Sequence, residues 1–152
     1  MNIKTILLVE DNPDDIHLTK RALKKNNITS GLSVVNDGIQ ALDYLVRAST
    51  APAGGSEVLP TLILLDLKLP RMDGLELLKR IRADERLKRL PVVILTSSKE
   101  EQDIIRSYDL GANSYIRKPV DFEQFNEAVR QLGLYWLRLN EPPPKSANPQ
   151  SP

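Results

Sequence analysis

TLILLDLKLPRMDG, residues 61–74, runs from four consecutive apolar residues into a single aspartate, a short loop and a helix start. Consecutive apolar positions suit a parallel strand covered on both faces, because a strand with one wet face alternates. Asp73-Gly74 then opens an amphipathic stretch over 73–84 with a capping residue in place. The same grammar repeats on either side. TILLVE (5–10), LSVVN (32–36), VVILTS (92–97) and SYIRK (114–118) read as strands, and 13–26, 37–48, 100–110 and 121–138 as helices. Asn12-Pro13 supplies a cap and a first-turn proline, Asp37-Gly38 and Asp121 open two further helices, and Ser97 or Ser98 opens the fourth. The order βαβαβαβαβα describes an open α/β sheet with right-handed crossovers.

Composition bounds what this pattern can be. A chain of 152 residues buries roughly 70% of its unfolded surface as one domain, and two full domains would be cramped. Five of the eleven prolines lie between Pro142 and Pro152, so 141–152 reads as a disordered tail and 1–140 as the folded domain, with no separate output module. Lys and Arg number 21 against 20 Asp and Glu, a net charge of +1, which gives no electrostatic footprint for nucleic acid. The absence of cysteine excludes disulfides, thiol chemistry and zinc–thiolate sites. The longest apolar runs are four residues and no signal peptide is visible, so the expected setting is cytoplasmic, away from membranes. The segment from Ala48 to Pro60 reads as a small, flexible surface loop.

The informative polar residues sit at strand ends. The first strand runs into Glu10-Asp11, the third into Asp66, the fourth into Thr96-Ser97 and the fifth into Lys118-Pro119. All carboxyl ends of a parallel sheet lie along one edge, where ligands bind. In the order 2-1-3-4-5 the first and third strands are neighbours, and Glu10, Asp11 and Asp66 meet in one pocket flanked by Thr96 and Lys118. Three clustered carboxylates repel unless a cation sits among them, and Mg2+ suits oxygen ligands with retained waters. A lysine ammonium and a threonine hydroxyl add one point charge and one donor for a phosphoryl group. Asp66, central among them, is the best placed nucleophile toward phosphorus. Any one strand-terminal Asp is ordinarily a cap or loop residue; a full set at separate strand ends is not so easily dismissed.

The motifs VEDN (9–12), LLDLKLPRMDG (64–74), LTSS (95–98) and YIRKP (115–119) resemble the signature of response-regulator receiver domains of the chemotaxis-receiver type, over residues 3 to about 138. The resemblance implies a flavodoxin-like, doubly wound, five-stranded parallel sheet in the order 2-1-3-4-5 with five helices. It implies that Asp66 accepts a phosphoryl group from a sensor-kinase histidine in a two-component phosphorelay. It also implies Mg2+ held by Asp11, Asp66 and the backbone carbonyl of Lys68, with Glu10 acting through a water. Lys118 would pair with phosphoryl oxygens, Thr96 would swing toward them, and Tyr115 would rotate inward behind it. The Lys118-Pro119 bond would be cis, as an X-Pro bond permits at modest cost. The chain looks most similar to stand-alone receivers serving bacterial phytochrome-type kinases, with light signalling and a histidine phosphotransfer protein as further expected links. Such a protein is no enzyme beyond its own phosphorylation and dephosphorylation. Lys68 and Ser98 border the pocket mouth and would influence water attack on the acyl phosphate.

Two rivals come from other classes. A small Mg2+-dependent phosphohydrolase with an aspartyl nucleophile usually carries a second acid two residues on, where Lys68 stands here. A non-phosphorylated docking scaffold has no need of a complete pocket. His17 reads as a solvated helix residue, and LKRIRADERLKR (78–89) as a solvated face whose acids break its basic run. In the last helix Phe122, Phe125, Val129, Leu132, Trp136 and Leu139 recur at three and four, enough to meet the sheet. Leu134, Tyr135 and Leu137 are then left over. The expectation is a homodimer face over 129–139 including Val129, Leu132, Tyr135, Trp136 and Leu139. The alternative is that Gly133 ends the helix and the rest folds back.

Overall fold

Parity along each strand decides which layer its side chains enter. In the computed structural model, which describes residues 4–28, 31–51, 58–119 and 121–144, Leu7, Val9, Ile63, Leu65, Val92 and Ile94 face one side of the sheet. Ile6, Leu8, Leu62, Leu64, Val93 and Leu95 face the other. Successive strand residues point to opposite faces, so consecutive apolar positions fill two cores at once. The strands are β1 (Ile6–Val9), β2 (Leu32–Val35), β3 (Leu62–Leu65), β4 (Val92–Thr96) and β5 (Ser114–Arg117). All pairings are parallel and the order is β2-β1-β3-β4-β5, with Ile6 opposite both Leu32 and Leu62.

Five helices cover both faces: α1 (Pro13–Lys25), α2 (Gly38–Thr50), α3 (Gly74–Ala83), α4 (Glu101–Asp109) and α5 (Phe122–Leu132). α2 and α3 bring Ala41, Leu45, Leu77, Leu78 and Ile81 to the first core, and α1 and α5 bring Ala22, Leu23, Phe125, Val129 and Leu132 to the second. Side-chain caps start four of them. Asn12, Asp37, Asp73 and Asp121 each accept a first-turn N–H, which satisfies donors that have no partner within the helix. The fourth differs from expectation. Its cap position is Glu100, with no side-chain bond, and Ser98 instead reaches forward to Asp103 Oδ2 at 2.6 Å.

Two sequence expectations change here, and the alternative reading of Gly133 falls away. The excursion over 48–60 begins later than expected, because α2 carries Ala48, Ser49 and Thr50, and Ala48 is buried; 52–57 lie outside the described residues, as does the tail from 145. Gly133 does not end the last helix: Gly133–Leu139 continue it in π-helical form. A Cβ on Gly133 would lie 2.1 Å from Ile28 Cδ1, so glycine there serves close packing of helix on loop. Finally, Val129 and Leu132 are not on an outer face. They are 1% and 6% exposed and belong to the protein's own core, with Trp136 and Leu137 half-buried against it. Leu134, Tyr135 and Leu139 remain outside. Helical periodicity marks two apolar stripes on this segment but does not say which one meets the sheet.

Candidate functional site

The register of the sheet builds the pocket. Asp66 N–H donates to Val9 O at 3.1 Å, Glu10 N–H to Val35 O at 3.0 Å, and Lys118 N–H to Thr96 O at 2.8 Å. Each of these residues thus leaves the carboxyl end of its strand at the same edge. Thr96 Oγ1 donates to Asp66 Oδ1 at 2.7 Å, and the Lys68 N–H donates to the same oxygen at 3.3 Å. Thr96, expected to swing toward the phosphoryl oxygens, here donates to the carboxylate that would carry them. Tyr115, half-buried, donates its hydroxyl to Ser98 O at 2.9 Å and so ties β5 to the loop after β4. Burial holds the Tyr115 phenol above its ordinary value despite that bond.

Asp66 also needs a glycine behind it. A Cβ on Gly74 would lie 2.3 Å from Asp66 O and 2.8 Å from Leu67 Cα, both backbone atoms that cannot turn aside. The start of α3 therefore presses on the acceptor strand only because residue 74 has no side chain. Gly74→Ala is expected to lose about 2 kcal/mol of stability by overpacking, read as a lowered urea midpoint with unchanged slope.

Lys118 is the pocket's cation. Its ammonium donates to Glu10 Oε1, to Asp15 Oδ2 at 2.8 Å and to Asp66 Oδ2 at 3.3 Å, and its side chain is 9% exposed. Burial alone would lower its pKa. The hydrogen bonds it donates to Asp15 and Glu10 and the charge of Asp66 outweigh that and hold the group above the ordinary lysine range. Glu10 moves the other way for a carboxylate: burial raises it to about 7, against the pull of Lys118 and with Asp66 adding repulsion. Its Oε2 accepts N–H bonds from Asp11 and Asn12 at 3.1 and 3.2 Å. Three carboxylates share one lysine and Asp11 adds a fourth to the pocket, so the pocket is short of positive charge.

A divalent cation fits that deficit. Glu10, Asp11 and Asp66 each offer an oxygen, and these lie within 4.8 Å of one another. Hard oxygen donors of this kind suit Mg2+. Sequence reasoning placed Glu10, Asp11, Asp66, Thr96, Lys118 and Tyr115 around this edge, and the structure brings them together there. Lys68 is exposed, with its N–H on Asp66. One expectation is corrected: no peptide bond among the described residues is cis, and Lys118-Pro119 is trans. The trans form is lower by about 0.5–1 kcal/mol for an X-Pro bond, and Lys118 reaches all three carboxylates from it. The residue that sequence reasoning missed is Asp15, which read as an ordinary first-turn acid of α1. Its spacing of four from Asp11, one helical turn into the chain after a strand end, was the available signal.

Fold and pocket together define a class: a doubly wound α/β domain with an aspartate-centred, cation-accepting pocket at the carboxyl edge of its sheet. The chain belongs to the response regulator receiver domain family, whose model matches residues 6–130. Among curated relatives it is 42% identical to the probable methanogenesis regulatory protein FilR2 of Methanothrix harundinacea, over 91% of this chain and 86% of that one. It is 39% identical to response regulator Rcp1 of Synechocystis, over 88% and 89%. The solved Mn2+-bound form of Rcp1 superposes with a TM-score of 0.81 at 38% identity, covering 93% of this chain and 99% of that one. The phosphorylated cyanobacterial phytochrome response regulator RcpA gives 0.84 at 40% identity, with the same coverage. Receiver domains bind Mg2+ through acidic residues and partner with sensor histidine kinases, and the acidic group here is consistent with the first of these. Among the described residues no helix is long and apolar enough to cross a membrane.

Proposed function

We propose that the protein accepts a phosphoryl group on Asp66 from the phosphohistidine of a sensor kinase. The observation that carries this reading is the convergence of a buried aspartate, a threonine hydroxyl at 2.7 Å and a lysine ammonium at 3.3 Å beside a cation-competent acid group. An Asp66 carboxylate oxygen forms the new bond to phosphorus while the N–P bond of the donor breaks and its electron pair stays on the imidazole. Charge on the phosphoryl oxygens is met by the Lys118 ammonium and by the Thr96 hydroxyl, which is released from Asp66 Oδ1 as that charge develops. Asp11, Asp66 and the Lys68 backbone carbonyl would hold Mg2+, with Glu10 acting through a water, and the bound cation would supply Lewis-acid stabilisation of the same oxygens. Thr96, Tyr115 and Ser98 then form a connected path from Asp66 to α4, through which phosphorylation biases the conformational equilibrium.

The reaction is stoichiometric, so the protein is no enzyme beyond forming and hydrolysing its own acyl phosphate. Incubation with a small phosphodonor and Mg2+ tests the reading: one hydroxylamine-labile phosphoryl group per chain supports it, and sustained phosphate release over many turnovers supports the phosphohydrolase instead. The exposed Lys68 stands where that rival needs an acid.

The donor we infer is a phytochrome-type sensor kinase, on the strength of the likeness to RcpA. FilR2, equally similar, is named for a different process, so the receiver body does not itself encode the signal. Timed phosphotransfer from a phytochrome kinase beside an unrelated kinase separates these. The setting is cytoplasmic, and output is by binding a partner or handing the group to a histidine phosphotransfer protein, with no nucleic-acid or membrane contact. Leu134, Tyr135 and Leu139, exposed at 39%, 49% and 68% in one helical segment, are the surface through which a second copy docks. Tyr135→Glu with Leu139→Glu is expected to sediment as a monomer where the parent sediments as a dimer; equal masses would sink the dimer.

A further inference from the structure

Asp15 stands apart from the other pocket acids. It lies on α1, not at a strand end, and its carboxylate is outside the group that can hold a metal. Of the three contacts to Lys118 described above, that of Glu10 is the shortest, and that of Asp15 at 2.8 Å is closer than that of Asp66 at 3.3 Å. Its backbone is clamped on both sides. Asn12 Oδ1 accepts the Asp15 N–H at 3.3 Å, and Thr19 Oγ1 donates to Asp15 O at 2.7 Å. Its side chain is 31% exposed where that of Lys118 is 9%, so Asp15 covers the ammonium on the solvent side.

The charge balance gives this contact a purpose. With a divalent cation held among Glu10, Asp11 and Asp66, the Lys118 ammonium is repelled by a double positive charge, and two of its three acceptors are drawn elsewhere. Asp15 is the acceptor that stays. The first turn of a helix also favours a carboxylate, which suits Asp15 to this place. We propose that Asp15 is a positioning residue for phosphoryl transfer: it anchors Lys118 beside Asp66 while a cation and the phosphoryl group occupy the pocket. This rests on Asp66 being the acceptor.

The test has one arm that needs neither metal nor phosphate. Metal-free parent, Asp15→Ala, Asp15→Asn and Asp15→Glu are treated briefly with an amine-acylating reagent, and modification at Lys118 is read by peptide mass spectrometry against Lys20 and Lys24. The expected result is several-fold faster acylation of Lys118 in Asp15→Ala and Asp15→Asn, with Lys20 and Lys24 unchanged and protection restored in Asp15→Glu. In the second arm the maximal rate of phosphorylation by a small phosphodonor falls about tenfold, as a displaced catalytic charge would cause. Half-saturating phosphodonor and the Mg2+ concentration for half-maximal thermal stabilisation stay at parent values. Equal protection of Lys118 in Asp15→Ala would overturn the proposal, as would full recovery in Asp15→Asn or a loss confined to Mg2+ affinity. Failure of the Asp66 reading shows separately, as labelling that persists in Asp66→Asn, and the acylation pattern still decides whether Asp15 holds Lys118.

Discussion

Asp66→Asn is expected to carry no acyl phosphate: labelling by a small phosphodonor with Mg2+ falls by two orders of magnitude or more, about 3 kcal/mol of barrier or greater. Asparagine keeps the shape, so its amide oxygen still accepts from Thr96 Oγ1 and the Lys68 N–H, and the strand contact to Val9 O is untouched. What goes is the anionic oxygen that forms the bond to phosphorus. The fold does not suffer, because the substitution removes one of three carboxylates crowded around a single lysine. The metal-free variant is therefore expected to unfold at a urea concentration no lower than that of the parent. A variant that labels at the parent rate would sink the acceptor assignment. One that fails to label because it is unfolded would show in the same urea series.

Asp66 was legible in the sequence for a simple reason. It is the first polar residue after LILL, and an unbroken apolar strand admits a carboxylate only where the strand leaves the sheet. Glu10 and Thr96 follow the same rule at their own strands, and Lys118, directly after Arg117, stands at the end of its strand by position, so topology gathers them. Asp15 and Arg82 do not follow it. Both sit on amphipathic helices, where a charged residue ordinarily means a solvated face, and only tertiary packing shows that these two turn inward. Arg82 lies within a run of basic and acidic residues that reads as surface. Val129 and Leu132 failed in the opposite sense: the helix carries more apolar residues than one contact needs, and periodicity cannot assign the stripes. The trans Lys118-Pro119 bond was not legible either, since the two forms of an X-Pro bond differ by about 1 kcal/mol or less.

Arg82→Ala is expected to cost about 3 kcal/mol and to lower the thermal midpoint by roughly 10 °C, while leaving phosphorylation per folded molecule unchanged. The guanidinium joins α3 to two loops. It donates to Lys88 O and Leu90 O in the loop before β4, to Gly111 O after α4, and to Asn113 Oδ1 before β5, at 2.7–3.0 Å. Asn113 Oδ1 also accepts the Val92 N–H at 2.8 Å, so the network fixes where β4 begins. Burial lowers the Arg82 pKa, as expected for a charge held among carbonyls. Truncation leaves those carbonyls without their donors, and the penalty for an unpaired buried acceptor exceeds the net worth of the bonds lost. Lysine should recover less than half of the stability, because one ammonium cannot span the places that a planar fork reaches. The network lies at the amino end of β4, and Thr96 at its carboxyl end, so the loss belongs to folding and not to chemistry. Urea unfolding beside initial phosphorylation rates measured well below the midpoint separates the two. An Arg82→Ala protein of parent stability would show that the carbonyls are satisfied by water, and one that folds but labels slowly would place Arg82 on the path to Asp66.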